Sequence, residues 1–140
     1  PGVLGVVAKV LEPEKGYEEA ISVALGGAMY NIVTTDEASA RQAISFLKKN
    51  QSGRATFLPI RVLKPRWIAQ DHRIIAQNTE GFLGVASDFI HCAPQFELVS
   101  QSLLQNVLVC DTLKHGNILA DLLKFSYNIV TLEGDVIHRG

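Results

Sequence analysis

Four histidines, two cysteines and the aspartates Asp36 and Asp111 are the residues of this 140-residue chain most suited to chemistry. His72, His91, His115 and His138 stand apart, and no two are spaced as paired zinc ligands. His91 and Cys92 are neighbours, and neighbouring side chains point to opposite faces of a strand. A nucleophilic cysteine needs a nearby base, and nothing in the spacing supplies one. Cys92 and Cys110 lie in apolar segments, which suits buried free thiols in a reducing compartment better than a disulfide. The serines lack a Gly-x-Ser-x-Gly turn, and no Gly-x-x-x-x-Gly-Lys-Ser/Thr phosphate loop is present. Asp36 and Asp111 could form an acid–base pair, but each precedes an apolar helical pattern and reads as a helix cap.

The elements around these residues are repeated. Gly2-Val3-Leu4-Gly5-Val6 returns as Gly81-Phe82-Leu83-Gly84-Val85. Tyr17-Glu18 then lines up with Phe96-Glu97, Ala24-Leu25 with Leu103-Leu104, and Ile32 to Asp36 with Val107 to Asp111. The pattern predicts strands over 3–11, 30–34 and 55–60 and helices over 17–28 and 36–49. The second copy predicts strands over 83–90, 107–110 and 127–132, with helices near 96–104 and 118–123. A strand at 136–138 follows the Glu133-Gly134-Asp135 turn. Residues 61–80 have no counterpart, and Pro65 with the spacing of Trp67, Ile68, Ile74 and Ile75 suggests a connecting helix. The fold class is therefore α+β, with small mixed sheets covered by helices. The Gly-x-x-Gly pairs read as close backbone packing at a strand start, and Gly26-Gly27 as a helix stop.

Hydrophobic residues make up 47% of the chain and charged residues 19%, too apolar for disorder. No apolar run approaches the ~20 residues of a membrane span, and no signal peptide is recognisable. The chain opens on Pro1, as expected of an excised domain. Net charge is −1, so any nucleic-acid affinity has to be local. One such patch exists. Lys48, Lys49, Arg54, Arg61, Lys64, Arg66 and Arg73 fall within residues 48–73, with Asp71 the one acid. These residues form either a solvated face or a phosphate-binding surface.

Several segments, in order, resemble the hinge domain of bacterial structural maintenance of chromosomes (SMC) proteins. They are Gly2 to Val7, Tyr17 to Ile21, Ala24-Leu25-Gly26, Ile32-Val33, Gly53 to Pro59, Gly81 to Gly84 and Val107 to Asp111. The ending Val130-Thr131-Leu132-Glu133-Gly134-Asp135-Val136-Ile137 is the most specific. Two departures stand out. Gln105-Asn106 follow Leu104 where a Leu-Gly pair is usual, and later glycines of the family's ending lie past Gly140.

The resemblance implies two pseudo-symmetric subdomains, at 1–60 and 81–140, joined by the segment 61–80. It implies a homodimer in which subdomain one of each chain meets subdomain two of the other, although some relatives pair with a different chain. Gly26, Gly27 and Gly134 are the expected close-contact positions. The seven basic residues above are the expected sites of weak, sequence-independent DNA binding. The parent protein would carry coiled-coil arms and ATPase heads with accessory subunits, in the cytoplasm at the nucleoid. The domain itself is expected to be no enzyme and to need no cofactor, metal or membrane. Two other readings are a small-molecule-binding regulatory module and a hydrolase with a cleft joining a histidine to a cysteine or serine.

Overall fold

In a computed structural model, residues 2–49 and 55–140 are described, the side chains of 46–49 excepted. The first repeat builds a three-stranded sheet in the order β1 (Val3–Val6), β3 (Ile32–Thr34), β4 (Phe57–Pro59). The second builds a four-stranded sheet in the order β5 (Phe82–Val85), β7 (Leu108–Cys110), β8 (Ile129–Thr131), β9 (Val136–Ile137). In both, the first strand runs antiparallel to the second and the third runs parallel to it. Both also carry a bulge on the first strand, between Val3 and Gly5 and between Phe82 and Gly84. Gly5 and Gly84 adopt φ 148° and 153° there, a region closed to most side chains.

The duplication is thus real, but over residues 32–36 its register differs by one residue from the sequence alignment. Val3 faces Thr34, and Phe82 faces Cys110. Val7 N–H donates to Asn31 O, and Ala86 N–H to Val107 O. Thr34 therefore corresponds to Cys110, and Asp36 to Thr112 rather than to Asp111. The capping bonds agree. Asp36 Oδ1 accepts from Ser39 N–H at 2.8 Å, opening α3 (Glu37–Lys49). Thr112 Oγ1 accepts from His115 N–H at 3.2 Å, opening α6 (Leu113–Leu122). Asp111 is not the cap. It stands one residue earlier, and its Oδ1 accepts from Thr112 N–H at 2.6 Å.

The apolar runs 3–11 and 83–90 are not single strands. After β1 the chain makes one helical turn, α1 (Val7–Val10), closed by Leu11 N–H to Val7 O. After β5 it makes a 3-10 turn over Ala86–Phe89 before the short strand β6 (Ile90–His91). A continuous apolar run does not distinguish a strand from a buried helical turn. Here the turns place Val7 and Leu11 together in the core. Pro65 starts no helix either, since after a 3-10 turn at Ile60–Val62 the connector stays irregular until α4 (Gln70–Gln77).

The repeats meet in a shared core. Val7, Leu11, Ile21 and Val33 of the first pack with Val99, Leu104, Val109 and Val130 of the second. α2 (Glu18–Leu25) lies against β8 and α5 (Glu97–Leu104). A two-stranded ribbon crosses the joint, pairing β2 (Glu12–Pro13) with β6, and Tyr17 stacks on Phe89 at 3.9 Å. A second cluster belongs to the second repeat and the connector: Ile68, Ala76, Val85, Leu108, Leu119 and Leu123. The Tyr127 hydroxyl accepts from Ala69 N–H at 3.0 Å and lies 2.7 Å from His72 Nδ1, which ties the connector down.

Candidate functional site

Two of the three candidate contact glycines lie at one end of α2. Gly26 stops the helix with φ 54°, and its N–H bonds Ser22 O. A Cβ built on Gly26 or Gly27 would meet nothing within 4 Å. Gly27 also lacks a positive φ, so nothing within the described chain requires a glycine there. Beside it Tyr30 is 73% exposed. Gly134 differs. It turns the β8–β9 hairpin at φ 95°, and a Cβ there would come within 3.4 Å of Glu19 and 3.7 Å of Val23 on α2. Val23 precedes Gly26 by three residues, a helical rise of about 4.5 Å. The fold thus brings Gly134 to the helix that ends in Gly26-Gly27.

The basic candidates divide. Arg54 and the side chains of Lys48 and Lys49 lie outside the described residues. Arg61 Nη1 donates to both carboxylate oxygens of Glu37, at 2.8 and 3.1 Å, an exposed ion pair that offsets part of its charge. Lys64 and Arg66 are exposed on the connector, and Arg73 is half-buried on α4.

A cleft of about 410 Å³ does bring His91 and Cys92 together, with Ser87, Ser100, Asp88 and Glu97 in its wall. Its chemistry is not that of a nucleophile. Burial, and then the Glu97 carboxylate, push the Cys92 thiol above its ordinary range, which disfavours the reactive thiolate. The nearest acid to His91 is Glu14, 3.7 Å from Nε2. Asp88 Oδ2 is engaged by Val85 N–H at 2.9 Å. The wall is largely polar, whereas small-molecule pockets are mostly apolar with few polar groups. Cys110 is further from reactivity, since burial pushes its thiol up to about 12. Both cysteines are free. Among the described residues no three His, Cys, Asp or Glu side chains form a metal-holding group.

The remaining carboxylates are structural. The Asp36 carboxyl sits below its usual range because it accepts the Ser39 backbone N–H. Asp111 is lowered first by the His115 side chain, whose Nδ1 lies 2.7 Å from Asp111 Oδ1. The equivalent pair in the first repeat is uncharged, Thr35 and Ser39 with hydroxyls 3.1 Å apart. Each pair lies against the glycine that opens its repeat, Gly2 or Gly81.

Residues 1–120 match the family described as SMC proteins Flexible Hinge Domain. The chain belongs to the SMC hinge family. It is 45% identical over 139 residues to the chromosome partition protein Smc of Bacillus subtilis, and 40% identical to that of Halothermothrix orenii. Those matches take in 99% of this chain and 12% of each relative. A crystal structure of an asymmetric dimer of the Geobacillus stearothermophilus SMC hinge domain superposes with a TM-score of 0.96 at 41% identity, covering all of this chain and 57% of that one. The Pyrococcus furiosus SMC hinge domain gives 0.80 at 28% identity, with 99% and 69% covered.

The fold class expected for an SMC hinge, with small mixed sheets covered by helices, is the one observed. Sequence reasoning passed over two groups in this hinge. Tyr127, which straps the connector, read only as the start of a strand. Arg139 lay past every motif, and its N–H is fixed by Asn128 Oδ1 at 2.8 Å. No helix among the described residues is long and apolar enough to cross a membrane.

Proposed function

We propose that the chain is the dimerisation hinge of a chromosome-partition Smc protein. In this reading it joins two coiled-coil arms into a V or ring that can enclose DNA. ATPase heads and their accessory subunits would belong to the rest of that protein, working in the cytoplasm at the nucleoid. The supporting observation is Gly27, an exposed glycine that neither packing nor backbone conformation explains among the described residues. A second backbone approaching the end of α2 would explain it, with Gly26 and the Gly134 turn alongside. Among the described residues both sheets also end in strands with one partner each, β1 and β4 in one and β5 and β9 in the other, and open edges invite pairing. The dimer named for the Geobacillus hinge supports the same reading. A stable interface of this kind buries on the order of 1,600 Å² in total. Sedimentation should show a homodimer at micromolar concentration, and Gly27→Leu should yield monomer with an unchanged circular dichroism spectrum. A wild-type monomer sinks the reading.

Weak, sequence-independent DNA binding belongs to the same proposal, carried by Lys48, Lys49, Arg54, Lys64, Arg66 and Arg73, with Arg61 reduced by Glu37. Affinity should fall steeply with salt, because binding releases counterions. Charge reversal at Lys48 and Lys49 that leaves low-salt affinity unchanged removes that patch from the surface.

A further inference from the structure

The repeat produces the same cleft twice, and among the described residues only one copy is charged. Ile32 N–H donates to Thr56 O and Leu108 N–H to Asn128 O, so Thr56 corresponds to Asn128 as Asn31 does to Val107. In the first repeat Gly27, Tyr30, Asn31, Ala55 and Thr56 line a cleft of about 400 Å³, with no charged side chain among the described residues. In the second, Asn106, Val107, Tyr127 and Asn128 line its equivalent, of about 200 Å³. Arg66 of the connector and Arg139 of the C-terminal segment also line it.

No carboxylate lines the second cleft. Among the described residues, neither Arg66 nor Arg139 has a carboxylate within 4.0 Å. Both backbones are anchored. Arg66 N–H bonds Gln101 O at 3.1 Å, and Arg66 O accepts from Gln105 Nε2 at 2.8 Å. Arg139 N–H donates to Asn128 Oδ1, which leaves the Asn128 amide NH₂ as a donor. The Tyr127 hydroxyl is already committed to Ala69 and His72. Two arginines lining one small cleft without a counter-charge repel each other, and an anion held by both reverses the sign of that interaction. Their planar forks match the oxygens of phosphate or carboxylate. The volume is below the ~300 Å³ at which drug-sized pockets begin, yet ample for one phosphate group with a few waters of ~30 Å³ each.

We propose that the cleft between Arg66 and Arg139 binds one phosphate-sized oxyanion, with the Asn106 and Asn128 amides as further donors. The ligand is either free phosphate or a phosphodiester of a nucleic-acid strand. The site shares Arg66 with the DNA surface proposed above, and Arg139 belongs to the cleft alone.

Backbone amide shifts of the hinge, followed by NMR, test it in sodium phosphate against sodium chloride at equal ionic strength. Phosphate should give saturable shifts at Asn106, Asn128 and Arg139 and none at Asn31 or Thr56. Arg66→Gln combined with Arg139→Gln should weaken phosphate binding about tenfold or more. Both side chains are exposed, so the variant keeps its fold. Equal shifts in chloride, or unchanged phosphate affinity in the double variant, overturn the proposal. Duplex DNA that displaces phosphate, and binds the Arg139→Gln single variant more weakly, identifies a phosphodiester. DNA affinity untouched by Arg139→Gln identifies free phosphate.

Discussion

The two repeats share a backbone and differ in what supports it. Each runs from a glycine at positive φ through a bulged strand to an antiparallel and then a parallel partner. The second adds β9, the Tyr127 strap and a private core beneath α4 and α6. At the position of Ala120, which is fully buried, the first repeat carries Ile44, 37% exposed. Tyr127 corresponds to Ala55, which has no hydroxyl to offer. Register and glycine conformation are thus the invariant part of the duplication, and side-chain packing is where the copies have parted. The better-supported repeat anchors the domain, and the first leaves more of its surface for a partner.

The largest test of that contrast is in the cores. Leu119→Ala, at a fully buried position of the second repeat, should cost about 3 kcal/mol in chemical denaturation. Ile44→Ala on α3 should cost about 0.5 kcal/mol. Equal losses would erase the distinction between the repeats.

Next come the glycines. A Cβ on Gly81 would collide with Asp111 and His115, including the His115 Cβ at 2.6 Å, at φ 86°. Gly81→Ala should therefore destabilise by about 2–3 kcal/mol. Gly27→Ala should leave the melting temperature of the folded chain nearly unchanged, because its Cβ enters open space. A large effect at Gly27 in a monomeric sample would mean that the glycine serves its own chain.

Smaller is the strap. Tyr127→Phe removes one hydroxyl with two partners and should cost about 1–2 kcal/mol. Hydrogen exchange should accelerate at Ala69 while amides of β3 stay protected.

The smallest test concerns the caps. Thr112→Ala should cost about 1 kcal/mol, with no dependence on acid pH of its own. Asp36 behaves otherwise. Its folded carboxyl is lowered by the Ser39 N–H, so its contribution is fully present above the unfolded value of ~3.9. That contribution is lost as pH falls through the folded value. The penalty of Asp36→Ala, measured by urea unfolding, should shrink below about pH 4, while that of Thr112→Ala persists.

The apolar periodicity made the strands and helices legible, because burial selects it. It could not show where a run of valines turns from strand into helix at Val7, since both forms bury Val7 and Leu11. The alignment slipped by one residue because Asp36 and Asp111 look alike. Capping geometry, rather than residue type, pairs Asp36 with Thr112. The α2 glycines could be read from their doublet. The partnership of Arg66 with Arg139 could not, since 73 positions separate them and the repeat places neither. The ion pair that engages Arg61 was hidden too, because Glu37 is distant in sequence.

The ribbon of Glu12-Pro13 on Ile90-His91 and the valines shared beneath it have a mechanical meaning. Gly2 O, just before the first sheet, accepts from Thr35 N–H, and Gly140 N–H donates to Phe125 O beside the second. A pull applied at the two ends is therefore divided between the covalent connector and this joint. The ribbon contributes only two residue pairs, so most of the resistance comes from the apolar contact. Such contact yields by exposing area all at once rather than by opening one bond after another. Under tension the hinge should give way as one brittle unit, not as two halves parting in sequence.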